Sequence, residues 1–147
     1  MLEIPIIRLD PDLPAPSYAR VGDAGCDLFA REPVVLAPGG GRATIPTGIA
    51  VALPDGVAGL VLSRSGLASR HGVCCLNAPG LVDSGYRGEI AVILVNTDPV
   101  SPYGVQRGDR IAQLVLCDVH QASLVEPGAG VPSDTERGSG GFGHTGR

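Results

Sequence analysis

The 147-residue sequence contains no lysine and no tryptophan, a single methionine, and only 3% aromatic residues. Without lysine, all eleven basic side chains are arginines. Any bound anion must then be gripped by planar, bidentate guanidinium groups rather than by a point-like ammonium. Genomic compositional drift produces the same bias. An excess of positive charge is also missing: the net charge of −4 argues against a broad nucleic-acid footprint. The four cysteines (Cys26, Cys74, Cys75, Cys117) show no C-x-x-C spacing and no paired histidines, which argues against zinc. No apolar run is long enough to span a bilayer, and MLEIPIIRLDPDLP lacks the charged start and apolar stretch of a signal peptide. The expectation is a cytoplasmic chain with reduced thiols and no membrane partner.

What the sequence does hold is glycine (22), proline (13) and a 44% hydrophobic fraction. Short apolar runs cut by Gly/Pro punctuation predict an all-β sandwich or barrel in one domain. Strands are expected at Ile4–Leu9, Val34–Ala37, Thr44–Leu53, Val57–Leu62, Val73–Leu76, Gly88–Asn96 and Arg110–His120, with a short helix over 66–71. The run from Ile90 to Val95 is apolar on both parities, so it should be covered on both faces, one of them by a second subunit. From Gly128 the chain turns polar and glycine-rich. The division predicted is a β domain over 1–129 and a mobile arm over 130–147.

Three segments carry candidate chemistry. GSGGFG at Gly138–Gly143 formally matches G-x-G-x-x-G, but no strand–helix context follows it, so a dinucleotide fold is excluded. Its glycine N–H groups can still wrap a phosphate beside Arg137, and Phe142 is one of only two phenylalanines. Arg64-Ser65-Gly66 leads from a strand into the short helix, as an anion site or simply a capped turn. Residues 77–90, NAPGLVDSGYRGEI, read as a hairpin holding Asp83 and Tyr86 near one bend. Asp83 is either a turn residue or a general base.

Together, DAGCDLFA (23–30), SRSGLA (63–68), NAPGLVDSGYRGEI (77–90), RGDRIAQLVL (107–116) and RGSGGFGHTG (137–146) resemble the five ordered motifs of the trimeric dUTPases. The resemblance runs from about Ile4 to the C-terminus. It implies a jelly-roll-like (β-clip) fold, a homotrimer with shared active sites, and hydrolysis of dUTP to dUMP and pyrophosphate. By the same resemblance, Asp83 activates the water, Arg64, Ser65 and the Gly66 N–H cradle phosphate, and Gln113 contacts the α-phosphate. Asn77 and the backbone near Gly80, Leu81, Val82 and Ala91 would read uracil, with Tyr86 on the deoxyribose. Arg137, Phe142, Gly143 and His144 would close over the nucleotide. Mg²⁺ would be held by the phosphates and water; Asp27 either reaches it through water or serves a strand-end hydrogen-bonding role. Ser63 and His144 depart from the family pattern, which more often has proline and serine there. Two rivals remain: a dCTP deaminase-like enzyme, disfavoured by Phe142 and the Asp83–Tyr86 segment, and a non-catalytic jelly-roll binding module.

Overall fold

A computed structural model describes residues 2–126 continuously, and 128, 135, 136, 138 and 139 beyond them. The expected arm over 130–147, with Arg137, Phe142, Gly143 and His144, lies almost wholly outside the described residues.

Among the described residues the chain forms eleven strands and one helix. In order these are β1 (Ile6–Arg8), β2 (Gly25–Phe29), β3 (Val34–Leu36), β4 (Gly41–Pro46), β5 (Ile49–Val51), β6 (Val57–Ser63), α1 (Ser65–His71), β7 (Val73–Cys75), β8 (Gly80–Val82), β9 (Ala91–Asn96), β10 (Tyr103–Val105) and β11 (Arg110–Asp118). The larger sheet runs β2-β11-β6-β8, the second β4-β9-β7, and two ribbons pair β1 with β5 and β3 with β10. All of these pairings are antiparallel.

One aliphatic core joins both sheets. Leu28, Val61, Ala112 and Leu114 meet Ile45, Val73, Val92 and Leu94 there, with Leu36 and Val105 from a ribbon. No aromatic side chain is among its buried members, which is how a chain with so few aromatics still excludes water. Polar intruders are satisfied: Asn96 is fully buried and donates to the carbonyls of Leu36 (3.2 Å) and Ser101 (2.9 Å).

Two expectations need correction. TIPTGIAVAL is not one strand. The side chain of Thr47 turns inward to donate to the Ile90 carbonyl (2.7 Å), and Gly48 bends the chain with φ 72°, leaving β4 and β5 in different sheets. Residues 77–90 are not a self-paired hairpin: β8 pairs with β6, and β9 pairs with β4 and β7. Within one chain, the doubly apolar strand β9 is covered on both faces towards its end and on one face at its start, where the second cover was expected from another subunit. Leu94, Val95 and Asn96 are buried, whereas Ala91 is exposed and Ile93 half-buried.

Candidate active site

The group expected to face phosphate is assembled by strand register. Gln113 of β11 pairs with Asp27 of β2 on one side and Leu62 of β6 on the other, so Asp27 and Gln113 stand side by side on one face. Just beyond the end of β6, Arg64 keeps an extended backbone (φ −88°, ψ 123°) as α1 begins. Its Nε lies 3.1 Å from Asp27 Oδ1, and its Nη1 donates to the Arg110 carbonyl at 3.0 Å. Arg110 Nη1 reaches the other Asp27 oxygen at 3.2 Å. Asp27 is 9% exposed, so its charge is stabilised by both guanidinium groups at once. Two cations against one anion leave the cluster net positive, as an anion site requires. The start of α1 also leaves the N–H groups of Ser65 and Gly66 without intrahelical partners.

Ser63, the departure from the family's usual proline, has a structural role: its Oγ accepts the N–H of Cys75 at 2.8 Å. That bond ties the end of β6 to β7 immediately before Arg64.

A second constellation surrounds β8. A pocket of about 210 Å³ is lined by Asn77, Gly80, Leu81, Val82, Tyr86 and Ala91, the six residues expected to face base and sugar. Because β8 is the edge strand of its sheet, its outer N–H and C=O groups are not consumed by a further strand. Such groups can match the donor and acceptor pattern of a pyrimidine. Tyr86 is 45% exposed rather than an ordinary buried tyrosine. A turn in which the Tyr86 N–H donates to the Asp83 carbonyl (3.0 Å) follows the strand, with Asp83 exposed.

These two constellations are far apart within one chain. Gly59 pairs with Val82, which sets Asp83 level with Ala58. Arg64 lies six residues further along β6, roughly 20 Å at about 3.3 Å per residue. Gln113 pairs with Leu62, four residues along and one strand further across.

Three groups here have no role legible in the sequence. Arg110 lies within RGDRIAQLVL, where its only mark is its place three positions after Arg107. Arg31 carries no motif signal, and Glu89 lies within the 77–90 motif without an expected role, yet the two form an ion pair (3.3 Å) at the pocket that Glu89 helps to line. Arg31 also meets Asp10 (3.5 Å), and Arg107 Nη2 donates to Asp10 Oδ1 at 2.9 Å. The Arg107 guanidinium lowers the Asp10 carboxyl to about 2.

A family profile described as dUTPase matches residues 12–146. The chain belongs to the dUTPase family. A deoxyuridine 5'-triphosphate nucleotidohydrolase of Thermobifida fusca (strain YX) is 60% identical over 145 residues, spanning 99% of this chain and 79% of the relative. One from Mycolicibacterium vanbaalenii is 54% identical, spanning 96% of this chain and 93% of the relative. Among solved structures, the Staphylococcus bacteriophage 80alpha dUTPase with dUPNHPP matches with a TM-score of 0.91, 28% identity and complete (100%) coverage of both chains. A mutant dUTPase from phage phi11 of S. aureus, described with a structural Mg(II) ion, matches with a TM-score of 0.80 at 26% identity, covering 86% of this chain and 97% of that one. The all-β architecture is thus the jelly-roll-like fold of the dUTPases.

Proposed function

We propose that the chain hydrolyses dUTP to dUMP and pyrophosphate by attack of water on the α-phosphorus. Such an activity limits uracil in DNA and supplies dUMP for dTMP synthesis. The observation that carries the reading is the pocket at the β8 edge, where Asn77, Tyr86 and free-edge backbone line one small cavity. A fixed set of donors and acceptors there would reject cytosine by leaving buried polar groups unpaired. In this reading the base-facing edge would exclude the thymine methyl, and the Tyr86 ring would exclude a 2′-hydroxyl, each by contact.

In this reading Asp83 orients and deprotonates the attacking water. Arg64, Ser65 and the Gly66 N–H hold phosphate oxygens, and Gln113 contacts the α-phosphate. The barrier is lowered mainly by positioning and charge stabilisation. Mg²⁺ would supply charge neutralisation on the triphosphate, held by its oxygens and water. Both oxygens of Asp27 already serve Arg64 and Arg110, which suits an outer, water-mediated position rather than direct ligation. Arg137, Phe142, Gly143 and His144 would close over the bound nucleotide.

The separation of Asp83 from Arg64 and Gln113 favours a homotrimer with composite sites. A base must come within about 3 Å of the proton it takes, and Gln113 is assigned to the same phosphorus. Groups so far apart along β6 can meet on one phosphorus only if different chains supply them. A cytoplasmic setting completes the proposal, in keeping with four unpaired cysteines. No described helix is long and apolar enough to cross a membrane.

Pyrophosphate release measured across dUTP, dCTP, TTP and UTP tests the activity. Strong preference for dUTP is expected. Ammonia release from dCTP, or nucleotide binding without turnover, would replace the reading.

A further inference from the structure

Tyr86 is nearly half exposed, so packing alone does little to fix its ring. Exclusion of a hydroxyl by contact nevertheless requires a ring that does not swing aside, and an exposed aromatic has other rotamers open to it. Two groups outside the expected nucleotide contacts hold it. The Tyr86 hydroxyl donates to the Glu89 carbonyl at 2.9 Å. The ring lies back over Gly88, where a Cβ would stand 2.5 Å from the hydroxyl oxygen and 2.7 Å from Cζ. Only glycine leaves that slot open.

Glu89 is itself anchored. Its carboxylate accepts the Gly48 N–H at 2.7 Å and meets Arg31 Nη1 at 3.3 Å. Arg31 is held in turn by Asp10 (3.5 Å) and, through its carbonyl, by Arg107 Nη1 (2.9 Å). The neighbouring Ile90 is 2% exposed; its N–H donates to the Ile49 carbonyl (2.8 Å), and its own carbonyl accepts from Thr47. The Arg31–Glu89 pair is 35% and 25% exposed on its two side chains, and a pair so open to water adds little to stability. Its geometric effect is larger, since it fixes the carbonyl on which the tyrosine hydroxyl rests.

We propose that Gly88 and Glu89, braced by Arg31, are specificity-determining positioning residues that lock the Tyr86 ring and thereby set discrimination against ribonucleotides. The proposal rests on reading the pocket as a dUTP site with Tyr86 against the sugar.

The test compares kcat/KM for dUTP, UTP and dCTP in the full-length protein and in Gly88→Ala, Tyr86→Phe, Glu89→Gln and Arg31→Met. Gly88→Ala should lower the dUTP/UTP ratio by roughly ten-fold or more, on the scale of a single steric or hydrogen-bond contact. Tyr86→Phe keeps the ring and loses only the anchor, so it should lower the same ratio without the folding risk of an added Cβ. Glu89→Gln and Arg31→Met should each lower it by a smaller factor, and their combination by no more than either alone. The dUTP/dCTP ratio should stay as in the wild type in every variant, because base contacts are untouched. Wild-type ratios retained in Tyr86→Phe and Glu89→Gln overturn the proposal, as does an equal loss on all three substrates, which would mark a merely structural role. If the wild-type protein itself fails to prefer dUTP over UTP, the underlying reading of the pocket falls, and the proposal with it.

Discussion

Asp83 and Ser63 show how differently single residues in the motifs act. Asp83 is exposed and follows an edge strand, free to face a ligand. Asp83→Asn preserves its shape while removing the base. Turnover should fall by roughly 10²–10⁴-fold with little change in dUTP affinity, read by single-turnover kinetics beside a binding titration. A near-normal kcat would remove Asp83 from the chemistry. Ser63 acts through structure, since its Oγ accepts the Cys75 N–H. Ser63→Ala leaves that donor without its partner and should cost about 1 kcal/mol by urea denaturation. Of the site, the pocket-lining residues were legible as a motif, because their types and spacing are local in sequence. The double grip of Arg64 and Arg110 on Asp27 was not, because it joins β2, β11 and the start of α1 through register alone.

At the scale of elements, apolar runs located β6, β9 and β11 well, since each is long enough to show a pattern. Strands β8 (Gly-Leu-Val) and β10 (Tyr-Gly-Val) each carry a glycine that interrupts the apolar run, unlike the equally short β3 and β7, and β8 exists because β6 offers it an edge. Gly48 marks the clearest misreading. A glycine inside an apolar run gave no sign that the chain would leave one sheet for another there. Its φ of 72° and a would-be Cβ only 2.8 Å from Asp10 Cβ leave no alternative residue. Gly48→Ala should destabilise the protein by at least about 1–2 kcal/mol, the ordinary cost of a left-handed non-glycine residue. Chemical denaturation would measure this, and an unchanged midpoint would mean that the β4–β5 corner relaxes freely.

Across the whole molecule, the contact between Arg107 and Asp10 joins the start of the chain to the fourth motif. Asp10 is held at about 2, below its ordinary 3.8, first of all by its bond to Arg107. A carboxyl depressed on folding adds stability that is complete above its unfolded value and lost as the folded form takes up its proton. Melting temperature should therefore drop between about pH 4 and pH 2, and Asp10→Asn should flatten that part of the profile. The same slope in the variant would assign acid sensitivity elsewhere.

The register along β6 also bears on reaction order. When the water-activating carboxylate and the arginine clamp belong to different polypeptides, a lone chain has no partial activity to retain. Initial rate should then rise more steeply than linearly with enzyme concentration near the assembly threshold and become proportional above it. Serial dilution with a sensitive pyrophosphate readout, set beside the mass distribution at each concentration, would follow both together. Strict proportionality down to a monomeric population would mean that one polypeptide suffices. In a mixed population each Asp83→Asn chain would silence only the one site its carboxylate serves, so sharing would show as activity regained when such chains are mixed with inactive chains altered at Arg64.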